Sequence, residues 1–214
     1  MQGIRWGLLV FAGFLFAVPA MAQQETAQMR ARLVPCYQPA SATPLSDVVS
    51  ACISLLDDKS WSNARLGGIY MSLANAYDET GDTARALADY NQAIAIDPGK
   101  ALYFYNRGYF YYRQNDNDHA DADFAQTVSL DPSIVPAHFL LGVLAERKGD
   151  IVASVMRFNE TIALNPKLAQ AYLARASAEG KMGQGDKAMV DIKMAISLDP
   201  ALARNVSVDG KPLK

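Results

Sequence analysis

Apolar and polar positions between residues 67 and 202 recur every 34 residues, in phase, through four units: 67–100, 101–134, 135–168 and 169–202. Large residues hold one column (Tyr70, Phe104, His138, Tyr172) and small ones the next (Ala74, Gly108, Gly142, Ala176). A second small column (Ala86, Ala120, Ser154, Ala188) precedes a second large one (Tyr90, Phe124, Phe158, Ile192). Within each unit the spacing is helical on both sides of Gly81, Asn115, Gly149 or Gly183. Glycine and asparagine accept the left-handed backbone past a helix C-terminus, so this column ends a first helix. Pro98, Pro132, Pro166 and Pro200 cannot donate to a helix and restrict the residue before them, so they end a second one. Each unit is therefore expected to be two helices, with small columns letting the pair approach closely.

The flanks follow other patterns. Residues 46–57, SDVVSACISLLD, place Val48, Cys52 and Leu55 on one helical face, which predicts a capping helix within a 23–66 extension. The segment before it contains Pro35 and is expected to be extended, with Cys36 stapling it to that helix. Residues 203–214 form a tail that offers little to cover the last repeat, whose apolar end around Ala195, Leu198 and Leu202 is expected to be thinly capped. Residues 1–22 run from one charge at Arg5 through an apolar stretch to Ala20-Met21-Ala22, the order of a secretory signal peptide cut after Ala22. An uncleaved anchor is the alternative; spanning takes about 20 apolar residues, and this run is shorter and broken by Pro19.

The repeat resembles the tetratricopeptide repeat in its 34-residue period, in Leu141-Gly142 with the small column around it, in Tyr77 and Tyr111, in Ala86, Ala120 and Ala188, in Tyr90, Phe124 and Phe158, and in the four prolines. Ala145 and Glu179 depart from it where tyrosine stands in the first two units, and Ser154 departs where alanine is expected. Arg107-Gly108, echoed at Arg175-Ala176, is similar to a variant found in bacterial exported members. The resemblance implies an all-α fold: a right-handed superhelical solenoid of helix-turn-helix repeats with an N-terminal capping helix. It also implies that first helices line a concave groove, and that function lies in binding a protein or peptide.

Composition narrows the classes. The chain carries 20 Lys+Arg against 22 Asp+Glu, and loss of Arg5 with the leader makes it slightly more acidic. With no basic run, nucleic acid is not an expected partner; membrane contact is expected only through the leader. Export changes the meaning of the two cysteines. Cys36 and Cys52 enclose 15 residues, and in an oxidising compartment a bridge is the favoured reading over two free thiols. Such a loop stabilises by about 3 kcal/mol in the chain-entropy model.

The run YFYNRGYFYY, residues 103–112, raises the question of which aromatics face inward. Helical spacing places Phe104, Gly108 and Tyr111 toward the second helix of the unit, and Tyr103, Arg107 and Phe110 toward a neighbouring repeat. Tyr105, Tyr109 and Tyr112, with Arg113, are left for the groove. Stepping by 34 extends this stripe. Met71, Tyr105, Phe139 and Leu173 form an apolar floor; Asn75, Tyr109, Val143 and Ser177 form the next column. The edge runs Glu79, Arg113, Arg147, Lys181, acidic in the first repeat and basic after it. That edge suits a segment with apolar anchors and an acidic flank; the alternative is that the tyrosines merely pack. Some relatives clamp a terminal carboxylate. Asn75 and Asn106 match their asparagine places, but Met71, Pro136 and Leu140 stand where cations belong, so that clamp is not expected.

No catalytic pattern is present. His138 stands in an aromatic column, and Asp116, Asp118, His119, Asp121 and Asp123 crowd the start of a second helix without calcium-loop spacing. Neither an enzyme, a cofactor nor a metal is expected. Two readings follow: a periplasmic adaptor holding a segment of an envelope or secreted partner, or a scaffold self-associating through its C-terminal end. A hydrophobic small ligand or lipid in the groove is a third.

Overall fold

A computed structural model describes residues 31–37, 44–58 and 60–205, and among them every regular element is helical. The expected leader, 1–22, and most of the tail, 206–214, lie outside the described residues. Helix α1 covers residues 31–37 and α2 Leu45–Leu56. Four pairs follow: α3 (Asn63–Thr80) with α4 (Thr83–Ile96), α5 (Ala101–Arg113) with α6 (Asn117–Leu130), α7 (Val135–Arg147) with α8 (Ile151–Leu164), and α9 (Ala169–Lys181) with α10 (Gly185–Leu198). A 3-10 turn, Pro200–Asn205, closes the described chain. Each helix packs mainly on its sequence neighbours, the contact pattern of a solenoid. No described helix is long and apolar enough to cross a membrane.

Local chemistry sets the boundaries. Gly81, Asn115, Gly149 and Gly183 have φ of 81°, 59°, 83° and 72°, so the turn column adopts the left-handed region that its residue types favour. Second helices then begin on a capping carboxylate. Asp82, Asp116 and Asp150 accept from the backbone N–H of Arg85, His119 and Ala153. In the last unit Gln184 stands there and makes no such bond. The other end of these helices explains the residue before each later proline: Asp131, Asn165 and Asp199 accept from the N–H two residues on, forming the turn that the proline continues.

Close approach within the pairs rests on the small columns. A Cβ added at Gly142 would lie 2.6 Å from the Phe158 ring, and one at Gly108 3.0 Å from that of Phe124. Both rings are fully buried, so these glycines are what lets phenylalanine fill the pair. Ser154 is also fully buried and its hydroxyl has no partner. Its departure from alanine thus leaves a polar group unsatisfied in the third repeat.

The N-terminal end departs from the expected extended segment. Cys36 lies in a helix, and its disulfide to Cys52 brings the two Cα atoms within 4.8 Å. Pro35 removes one backbone donor, but tertiary contacts hold the short helix regardless: Leu33 packs on the core, Arg32 pairs with Asp58 at 2.7 Å, and Tyr37 donates to the Arg65 carbonyl. Trp61 donates its indole N–H to the Leu55 carbonyl and closes the cap. The C-terminal end is also better covered than expected. Ala195 is fully buried, because the turn at Asp199 brings Leu202 back onto Ala169, Tyr172 and Ala195; Leu198 remains at the surface.

Gln184→Asp should supply the missing cap and raise stability by about 0.5–1 kcal/mol, read as a higher midpoint of denaturant unfolding with an unchanged slope. An unchanged midpoint would show that this helix start is satisfied without a side chain.

Candidate functional site

The first helices, α3, α5, α7 and α9, carry the residues assigned to the groove, and they are tied to one another in a regular way. Arg113 Nη1 lies 2.8 Å from Asp78 Oδ2, Arg147 donates to the Tyr112 hydroxyl at 2.8 Å, and Lys181 Nζ lies 2.8 Å from Glu146 Oε1. In each case a residue at the C-terminal end of one first helix reaches back 35 positions to the preceding one. The expected free basic edge is therefore corrected. Arg113 and Lys181 are neutralised by carboxylates, and Arg147 sits 4.4 Å over the Tyr112 ring with Asn117 Oδ1 as a further acceptor. Asp78 and Glu146 thus pair with two of the three cations along this line.

The floor is uneven. Met71 is buried, and Asn106 donates to its sulfur at 3.2 Å, so the first member of the apolar line is covered. Tyr105, Val143, Phe139 and Leu173 are half-buried. Asn75 is exposed but its carbonyl oxygen accepts from Tyr90, and Ser177 donates to Glu146. Between these lies a ladder of rings. Tyr105 and Tyr109 stack with centroids 6.4 Å apart and planes 17° apart; Tyr109 and Tyr112 follow at 6.3 Å and 23°. Tyr105 also leans on Phe124, and burial raises its pKa above the usual phenol value, with Tyr109 adding to the effect. Tyr109 is 44% exposed, the most open ring of the run.

The remaining aromatics sort mostly as spacing predicts. Tyr103 packs against Gly67 and Phe110 against Tyr90, both in the preceding repeat. Phe104 and Tyr111 are half-buried. Arg107 reaches Asn91 in the unit before, as its spacing predicts, and its guanidinium also binds both oxygens of Asp123 in its own unit, at 2.8 and 2.7 Å. Arg175 repeats this with Asp191 and Asn159. Asp78 and Glu146 are site residues that sequence reasoning missed. Their signal is a step of 35, one more than the repeat.

The histidines have structural partners. His138 is buried with Nε2 2.9 Å from the Pro132 carbonyl and Nδ1 3.0 Å from Glu160. Tyr172, one repeat later, donates to the Pro166 carbonyl in the same way. The acidic cluster diverges: Asp116 binds His119, Asp118 and Asp121 bind Lys148, and Asp123 binds Arg107.

Comparison with known families gives three matches: a TPR repeat over residues 74–115, and a tetratricopeptide repeat over 105–167 and again over 169–202. The chain is a tetratricopeptide repeat protein. Solved structures agree in fold. A crystal structure of MamA protein superposes with TM-score 0.68 at 16% identity, covering 85% of this chain and 96% of that one. A second MamA crystal structure gives 0.65 at 18%, covering 75% and 91%, and a third 0.64 at 22%, covering 82% and 98%. Among curated proteins, none matches this chain. Tandem tetratricopeptide repeats form protein–protein interaction modules, and this chain is one.

Among the described residues Asp78, Asp89 and Glu179 are electrostatically costly carboxylates, Glu179 being buried with an unpartnered oxygen and a pKa raised by that burial. Asp78 has an oxygen with no partner, and burial raises its pKa against the pull of Arg113. Asp89 occupies the place of Asp123 and Asp191, but its unit has Leu73 where theirs have an arginine. Burial lifts it to about 6, with Arg85 pulling the other way. Because its folded pKa lies above the unfolded value, Asp89 weakens the fold above about pH 6, and this penalty fades as pH falls toward the unfolded carboxylate value near 4. Asp89→Asn should therefore raise the melting temperature at pH 7.5 and give a shrinking gain toward pH 4; a gain independent of pH would contradict this. Arg113→Glu should place a second carboxylate against buried Asp78 and lower stability by about 2–3 kcal/mol in denaturant unfolding. No loss would show that the pair is not formed.

Proposed function

We propose that this tetratricopeptide repeat protein works in the bacterial periplasm as a non-catalytic adaptor, holding a peptide segment of an envelope or secreted partner against the tyrosine ladder. The observation that carries the reading is Tyr109. A large ring left 44% open in the middle of a stacked series is an anchor of the kind that contributes most in interfaces, giving large area at low entropy cost. Export draws support from the leader-like first 22 residues and from the disulfide, which suits an oxidising compartment.

A second reading, self-association, has its own observation. Val152 and Met156 of α8, with Val190 and Met194 of α10, are 44–65% exposed, whereas Ala88 and Ala122 hold the place of Met156 and Val190 in the first two repeats. A copy docking on this outer face would bury them.

Tyr109→Ala is the suited probe of the adaptor, because removing an exposed ring leaves the helix pairing intact. Protein recovered from an exporting host should begin at Gln23 by mass and capture an envelope protein that Tyr109→Ala captures at least about tenfold less well. Equal capture by both would remove the ladder from the interface. A concentration-dependent mass in sedimentation, reduced by Met156→Glu, would instead favour self-association.

A further inference from the structure

Near the end of the first helix, two units hold a tyrosine against the residue eight positions on, at the start of the second helix. Arg85 lies 4.3 Å over the Tyr77 ring, and His119 stacks on Tyr111 at 4.9 Å. The third unit has alanine at both places, Ala145 and Ala153, and the fourth has Glu179 and Lys187. A position filled by an aromatic ring in two units therefore carries a carboxyl in the last.

Glu179 is buried all the same. It is 7% exposed, and its Oε2 has no hydrogen-bond partner. The charged groups around it are occupied or too distant to bond. Arg175, one turn back on α9, gives its guanidinium to both oxygens of Asp191 and to Asn159 of α8. On α10, Lys187 attracts Glu179 without forming an ion pair among the described residues, and buried Asp191 repels it. On α7, Glu146 is taken by Lys181 and Ser177. Burial first, and Asp191 second, hold the Glu179 carboxyl above its ordinary value of 4.5, against the pull of Arg175 and Lys187. An ionised Glu179 in this place is a buried charge without a partner, which a fold relieves by taking up a proton or by opening.

The last pair is the one best placed to open. Gln184 leaves the start of α10 without a side-chain cap, and Ala188 and Ile192 are less fully buried than Ala120 and Phe124, their equivalents in the second unit. Sparsely covered terminal elements open ahead of the rest of a structure. The turn between the two helices also hangs on Glu179 itself, whose carbonyl accepts from the Gln184 N–H at 2.9 Å.

We propose that Glu179 makes the last helix pair a proton-sensitive end of the groove. With its carboxyl protonated, α9 and α10 stay closed; its ionisation loosens them, and with them the wall that carries Leu173, Ser177 and Lys181. Packing alone carries this inference, so it stands apart from what the groove binds. Opening exposes Glu179 to water, where it ionises near 4.5, while the closed pair holds it neutral to higher pH. Protection of α9 and α10 is therefore greatest below that value and falls as pH rises through it, until the folded value is passed.

The test is hydrogen exchange of the full protein, followed by mass spectrometry between about pH 4 and about pH 8 and corrected for the intrinsic exchange rate. The internal reference is the α5–α6 pair, which has the same Arg–Asp–Asn arrangement with Tyr111 in place of the glutamate. In the parent, protection of α9–α10 relative to α5–α6 should fall with rising pH, by about tenfold for each unit between the open and closed values of Glu179. Glu179→Gln, similar in size and uncharged, and Glu179→Ala, the residue of the third unit, should both lack this fall. A constant ratio in the parent would overturn the proposal. So would a fall that persists unchanged in both variants, which would place the sensitive group elsewhere.

Discussion

The bond that each first helix makes to the one before it, 35 residues back, is the constraint on which the groove depends. Helix pairing inside a unit follows from burial: glycine opposite phenylalanine, alanine opposite a larger side chain. It does not by itself fix how one pair sits on the next. Arg113 on Asp78, Arg147 on Tyr112 and Lys181 on Glu146 set that relation at the same register three times. The polar ties at Arg107 and Arg175 add a second set, each holding an aspartate of its own unit and an asparagine of the previous one. These occur in alternate repeats, with Leu73 and Leu141 between, so the chain also has a longer period of two units.

Such ties are poor sources of stability and good sources of geometry. Asp78 is buried with one oxygen unpartnered, and desolvation outweighs the attraction of Arg113; partly buried pairs of this kind commonly break even against apolar replacements. Their effect lies in direction, since a guanidinium aimed at a fixed carboxylate has few alternative arrangements. A groove with its cations held this way presents a preformed surface in which Tyr109 is the open ring of the series. It differs from the carboxylate-clamping arrangement of some relatives in the same physical terms: Met71, Pro136 and Leu140 supply no cation, and the cations present are engaged.

Most of the architecture was legible because it rests on residues with narrow conformational roles. The left-handed turns at Gly81, Asn115, Gly149 and Gly183, the small columns and the prolines each demand one local structure. The site was legible only in part. Stepping by the repeat length aligns equivalent positions, but contacts between repeats join inequivalent ones, so Asp78 and Glu146 stayed hidden one residue off the period, and the edge read as free charge. Arg107 was placed by helical angle alone, whereas its length lets it reach Asp123 and Asn91 together. At the ends, Pro35 suggested extended chain, yet a disulfide and an ion pair hold a helix there; the coverage of Ala195 depended on a turn at Asp199 whose effect on Leu202 is tertiary.

A double-mutant cycle on Asp78→Asn and Arg113→Gln tests most directly whether the inter-repeat bonds organise the solenoid. Unfolding free energies of the parent, both single variants and the pair should yield a coupling of about 1 kcal/mol or more, because the two groups act on each other across adjacent repeats. Additivity within about 0.5 kcal/mol would show that the two side chains are independent, and that the groove is set by helix packing alone.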